Sequence, residues 1–169
     1  MGESVRRNIV RRSVVWRSPA DLLLAAEALL LLAFFRACLM FLPVRGIVQA
    51  IARGPAPAID AVQDAAVAQR VRWAVEAVAR HSPVRFVCFP QTLAGYAMLR
   101  RRGVEGTMVY GVARSPAGRL TAHTWLLVGE RILLGAEGAG AFTPVERWGR
   151  GPAENTAYDG GPGGCSSHS

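Results

Sequence analysis

Residues 84–103 read VRFVCFPQTLAGYAMLRRRG, and this stretch decides the fold. Proline is tolerated only in the first turn of a helix, glycine is favoured just past its end, and arginines suit the negative end of its dipole. Pro90, Gly103 and the run Arg100, Arg101 and Arg102 occupy those places. The pattern predicts a helix that opens at Cys88 and closes near Arg102.

Downstream of that helix the chain turns to strand chemistry. Thr107 to Val112 reads as a strand, Ser115-Pro116-Ala117-Gly118 as a turn, and Leu120 to Val128 as a second strand containing His123. Gly129-Glu130 makes a tight turn and Ile132-Leu133-Leu134 returns as a third strand, so a meander is expected behind the cysteine helix. Upstream, Gly54-Pro55-Ala56-Pro57 is a break, and from Ala58 to about His81 apolar residues such as Ile59, Val62, Val71 and Val78 recur at helical spacing. Ser82-Pro83 ends that amphipathic helix.

Earlier still, an intensely apolar segment runs from Leu22 to Leu42, with Asp21 as its expected N-cap and Pro43 as its stop. Arg6, Arg7, Arg11, Arg12 and Arg17 precede it, which invites a signal-peptide or anchor reading. Glu27 and Arg36 oppose a membrane span: nine residues apart, they fall on opposite sides of a helix, so no single wet face shelters both. The segment is read as a helix packed in a core or against a partner, with weak membrane-surface association as the alternative.

Composition narrows the field. The chain has 169 residues, 51% of them hydrophobic, enough for one domain with a core and a helical preface. All 20 basic residues are arginines against 12 acidic ones, a formal charge of +8 that favours acidic partners. The absence of lysine removes Schiff-base chemistry and a P-loop. Nucleic-acid binding would rest on charge alone, without a motif or a stacking platform, and is not expected. Cys38, Cys88 and Cys165 lie far apart in an odd set, no disulfide framework, and favour a reducing compartment. Cys165 and His168 in the Gly- and Ser-rich tail form no designed metal site.

A thiol attacks as the thiolate, and a helix N-terminus stabilises that anion through unpaired N–H groups and the macrodipole. Cys88 is placed for this, and His123, on a rigid neighbouring strand, is the plausible base; His81 ends the preceding helix and His168 lies in the tail. Spacing alone fits equally a small buried cysteine and a histidine satisfied in the core. A third group usually holds the second imidazole N–H. If the hairpin turn is Gly129-Glu130-Arg131, His123 faces Glu137; a two-residue turn gives that place to Ala136. The backbone N–H of Cys88 would serve an oxyanion hole, with no obvious glutamine before the cysteine to supply a second donor, and Gln91 reads as a structural or rim residue.

The run Cys88-Phe89-Pro90-Gln91-Thr92-Leu93-Ala94, then Met98 to Val104, Val109-Tyr110-Gly111-Val112-Ala113 and Ala122-His123-Thr124-Trp125, resembles the lasso-peptide B-protein family. These are transglutaminase-like peptidases that remove the leader from a lasso precursor. The resemblance covers about Cys88 to Val145. It implies an α+β, papain/transglutaminase-like cysteine peptidase fold, with the cysteine helix packed on a small antiparallel sheet. It implies a cytoplasmic bacterial enzyme without cofactor or metal, with catalytic Cys88 and His123, working beside an ATP-dependent macrocyclase resembling asparagine synthetase. The family commonly places an aspartate about a dozen residues after the histidine. Here that neighbourhood reads Leu134-Gly135-Ala136-Glu137, so the third role falls to Glu137 or stays unfilled. The residues before Ala58 cannot form the winged-helix-like recognition domain of some members, so a separate leader-recognition protein is expected.

The expected organisation is therefore a basic segment and hydrophobic helix over residues 1–57, a peptidase core over 58–148, and a disordered tail over 149–169. The expected activity is leader cleavage that frees the core peptide's amine. Transglutaminase-type acyl transfer and a non-catalytic scaffold for the precursor and macrocyclase are the alternatives.

Overall fold

The helix that opens at Cys88, α4 (Cys88–Arg101), is buried along almost its whole length: Leu93, Ala94, Tyr96, Met98 and Leu99 are shielded from solvent. A helix apolar on every side has to be covered on every side, and this one organises the other elements. In this computed structural model the described residues are 18–52, 61–84, 86–115 and 118–149. Before α4 come α1 (Pro19–Phe41), α2 (Val44–Ala52) and α3 (Ala61–His81); after it come β1 (Thr107–Arg114), β2 (Leu120–Val128), β3 (Arg131–Leu134), a short 3-10 helix (Ala139–Ala141) and β4 (Thr143–Trp148).

Among the described residues, four α-helices and a four-stranded antiparallel sheet make an α+β fold. The strand order is β3-β2-β1-β4. The three-strand meander is present, and β4 extends it at the free edge of β1, pairing Met108 with Trp148 and Tyr110 with Glu146. Pro144 is accommodated because β4 is an edge strand, where a missing N–H costs no ladder bond. A register shift at Tyr110/Gly111 brings Pro144 beside Gly111.

α4 lies between the sheet on one side and α1 and α3 on the other. Gly95 sets the approach to the sheet: a Cβ there would stand 2.5 Å from Leu134 Cδ1 and 3.0 Å from Leu126 Cδ2. Leu24, Ala28, Leu32 and Phe35 of α1, Val71 and Val75 of α3, Leu93 to Leu99 of α4 and Leu126 and Leu134 of the sheet form one continuous core, which runs across the expected boundary at residues 57 and 58. A smaller cluster of Val109, Trp125 and Ala139, with Phe142 against it, covers the opposite face of the sheet.

Two local expectations change. The N-cap of α1 is Ser18, not Asp21: the Ser18 hydroxyl accepts from the Asp21 N–H at 3.3 Å, and Pro19 opens the helix. Asp21 instead lies in the first turn, where its charge suits the dipole. Pro43 does stop α1, but Val44 immediately begins α2, since proline is as good a neighbour to a helix start as to a helix end. The basic start over residues 1–17, the segment 53–60 and the tail expected to be disordered lie outside the described residues, apart from Gly149.

Glu27, on the solvent edge of α1, joins that helix to the end of α4. Arg101 donates to Glu27 Oε1 at 3.3 Å, and Arg102 donates to both Glu27 oxygens. Burial raises the carboxyl's pKa, but the hydrogen bonds and charge of Arg102 and then Arg101 outweigh it, leaving it below its ordinary value. A carboxylate depressed in the folded state adds stability above its unfolded pKa of about 4.3, and that stability is lost as pH falls through the folded value. Glu27→Gln is therefore expected to lower the melting temperature at neutral pH, with the gap to wild type closing as the solution is acidified below about pH 4. Thermal melts of both proteins from neutral to acid pH check this; a gap independent of pH would show that the charge is not responsible.

Candidate active site

Cys88 is the first residue of α4 and is half-buried. Its N-cap is Val87, whose apolar, exposed side chain makes no capping hydrogen bond to the N–H groups of the first turn. The approach to this turn is fixed from both sides. Gln91 Nε2 donates to the Phe86 carbonyl at 2.7 Å, tying the incoming chain to the helix, and the rings of Phe89 and Tyr110 pack with centroids 5.7 Å apart. Gln91 is thus a structural residue.

A second tie links this turn to the histidine strand. Thr92 Oγ1 lies 3.1 Å from the Cys88 carbonyl and 3.0 Å from that of Phe89. The same oxygen lies 3.1 Å from Thr124 Oγ1, and both threonines are buried. A hydroxyl has one proton. Thr92 can satisfy a helix carbonyl only if Thr124 donates to it, which fixes the direction of the chain Thr124 to Thr92 to Cys88 or Phe89. Thr124 directly follows His123 and pairs with Tyr110 across the ladder. Thr92→Val keeps the shape and removes the hydroxyl, leaving the Thr124 hydroxyl buried without its acceptor. A loss of about 1–3 kcal/mol is expected, measured by denaturant unfolding, with Thr92→Ser much closer to wild type.

His123 is half-buried on β2. Its ring lies against Phe142, with centroids 5.2 Å apart, and stacks on Trp125 at 6.0 Å. Nε2 is 2.8 Å from the Gly135 carbonyl oxygen. A carbonyl only accepts, so Nε2 carries the proton and Nδ1 of the neutral ring is left as the basic nitrogen.

Strand alternation settles where each group points. Thr124 and Leu126 face α4, so His123 and Trp125 face the other side of the sheet, toward Phe142. The backbone at Cys88 and the strand that carries His123 are thus linked through the threonine bridge, beside the middle of the β1–β2 ladder. Among the described residues no hydrogen bond joins the thiol to the imidazole.

Glu137 is exposed in the turn after β3 and makes no hydrogen bond to His123. The hairpin explains why. Val128 pairs with Arg131 and Leu127 with Ile132, the register of a two-residue Gly129-Glu130 turn, but a bulge shifts the next pair to Leu126 and Leu134. β3 then ends, and Gly135, at φ +76°, bends the chain beneath β2. Neither Ala136 nor Glu137 takes the place beside the imidazole; a main-chain carbonyl does. Sequence patterns point to side chains, so the only sign of this acceptor was the glycine just after the strand.

The comparisons bear on this arrangement. No curated protein and no solved structure gives a match. A family model described as the transglutaminase-like superfamily matches residues 28–147, from the middle of α1 to the end of β4, and takes in both Cys88 and His123. With that match over most of its length, the chain belongs to the transglutaminase-like superfamily, which includes cysteine peptidases and acyltransferases.

Proposed function

We propose that this protein is a cysteine peptidase that cleaves the leader from a lasso-peptide precursor, with Cys88 as nucleophile and His123 as general base and acid. The observation that carries the chemistry is the tautomer of His123: the Gly135 carbonyl holds Nε2–H and leaves Nδ1 to take the thiol proton. The superfamily match supports the class of reaction. The motifs around Cys88, Val109 and His123 support the lasso precursor as substrate.

In the proposed reaction the Cys88 thiolate attacks the carbonyl carbon of the leader's last residue, forming a tetrahedral oxyanion. First-turn N–H groups of α4, beginning with that of Cys88, are aimed to receive it. Collapse of this intermediate breaks the C–N bond as His123 delivers its proton to the departing core-peptide amine. The leader is left as a thioester. Water, giving a proton to His123, then attacks the thioester carbonyl; the leader leaves as a carboxylic acid and the thiol is restored. In this scheme Gly135 orients the imidazole, the role that Glu137 would otherwise fill. Thiol and imidazole must come into contact during turnover, and catalytic hydrogen bonds commonly tighten only in the substrate complex. The freed amine would serve an ATP-dependent, asparagine-synthetase-like macrocyclase, and a separate leader-recognition protein would present the substrate.

The missing thiol–imidazole hydrogen bond favours one other reading, a non-catalytic scaffold that binds precursor and macrocyclase. Mass spectrometry of a lasso precursor incubated with its recognition protein and this chain separates them. One new cleavage, at the leader–core junction, supports the peptidase. An intact precursor that co-purifies with the chain supports the scaffold, and an amine adduct on the leader carboxylate would mean transglutaminase-type transfer.

A further inference from the structure

α1 is buried on one side only. Leu24, Ala28, Leu32 and Phe35 enter the core, whereas Leu23, Leu30, Phe34 and Phe41 are between 58% and 82% exposed. Spaced by seven, four and seven residues, these four fall on one line along the helix. Leu23 to Phe41 extends about 27 Å at helical rise. Ala26, Ala33 and Ala37 are also exposed beside them, and the adjacent polar side chain is half-buried Glu27, already bound by Arg101 and Arg102. Arg101, bound to Glu27, borders this apolar stripe, while Arg36, without an ion pair among the described residues, lies about 140° around the helix from it. An open groove lined by Leu23, Glu27, Leu30, Phe34 and Arg101 runs along the stripe.

We infer that this face is a membrane-docking surface, on which the domain lies with α1 parallel to an anionic lipid bilayer. Three observations select lipid over another protein. Protein interfaces carry about one hydrogen bond per 100–200 Å², and the polar side chains beside this stripe, Glu27 and Arg101, are already bound to each other, whereas acyl chains ask for no such bond. Arg101 borders it, and Arg6, Arg7, Arg11, Arg12 and Arg17 precede Ser18, the cap of α1, in the sequence, with Glu3 the only acid among residues 1–17. The whole chain is strongly basic at +8, complementary to anionic headgroups.

The helix is long and apolar enough to cross a bilayer. Its inner face is nevertheless held along its length by α3 and α4, so it rests on the interface and does not span. This inference is independent of the peptidase reading.

The test is co-sedimentation of the full chain with vesicles of phosphatidylcholine alone and of equal parts phosphatidylcholine and phosphatidylglycerol. Binding to the anionic vesicles is expected, weakened when salt shortens the Debye length to about 3 Å. Leu30→Glu/Phe34→Glu should lower the bound fraction by at least about tenfold. Leu30→Gln, a milder change at an exposed site, should weaken binding several-fold with an unchanged circular dichroism spectrum. Folded wild type that stays in solution with anionic vesicles overturns the inference, as does equal binding by the variants. A wild-type dimer that Leu30→Gln converts to monomer, with no vesicle binding by either, overturns it too and assigns the face to a second copy of the chain.

Discussion

Cys88→Ala is expected to reduce precursor cleavage by at least about a thousandfold, because without the sulfur there is no atom to form the thioester and only uncatalysed attack by water remains. The fold should be unaffected: Cys88 is half-buried, and its side chain makes no hydrogen bond that alanine would break. Cys88→Ser tests the chemistry more narrowly. It keeps the size and offers a hydroxyl far less acidic than a thiol, so activity should fall nearly as far. The decisive readout is trapping of the intermediate: leader mass covalently attached to wild type on rapid acid quench, and none on Cys88→Ala. Undiminished cleavage by Cys88→Ala, with normal melting, would remove Cys88 from the mechanism.

Gly135→Ala should produce a large loss of stability for the addition of a single methyl group. At φ +76° an L-residue is already strained, and here the new Cβ would stand 2.5 Å from the Thr124 carbonyl oxygen and 3.1 Å from Trp125 Cα. Both neighbours are backbone of a central strand and cannot move aside. A cost of at least about 3 kcal/mol is expected, roughly a ten-degree fall in melting temperature for a domain of this size. Gly138→Ala is the matched control. Its φ of +81° imposes the same backbone strain, but the nearest contact is Phe142 Cε2 at 3.9 Å, so about 1–2 kcal/mol is expected. The difference between the two variants isolates the collision. Because the Gly135 carbonyl also holds His123, any folded Gly135→Ala protein should show a lowered kcat, which Gly138→Ala should not.

What the sequence disclosed and what it hid follow from where the information resides. Pro90, Gly103 and the arginine run mark the ends of α4 by backbone rules, and the Cys88 start coincides with the observed one. Leu120 to Val128 is recovered with both ends correct, because a turn flanks it on each side. β4 was hidden by Pro144 and by an acid–base pair in mid-strand, features that an edge strand tolerates and a central strand does not. α2 was hidden by following a proline already assigned as a stop. The partner of His123 depended on a bulge at Leu126/Leu127, and a shift of one residue in a hairpin leaves no trace in hydrophobic alternation only four residues long. The threonine bridge was out of reach for a different reason: Thr92 and Thr124 are 32 residues apart, and only the packing of helix on sheet brings their hydroxyls together.

The burial of α4 on every side has a consequence for motion. Amides from Leu93 to Leu99 are hydrogen-bonded inside the shared core, so they exchange with solvent deuterium only when the whole domain opens. The amides of Cys88 and Phe89 belong to the same helix but precede its first internal hydrogen bond, and the Val87 cap offers them no side-chain acceptor. One helix thus joins the slowest-exchanging part of the molecule to a turn whose protons remain open to water. The donors that would meet an oxyanion are held at a rigid address while staying unoccupied.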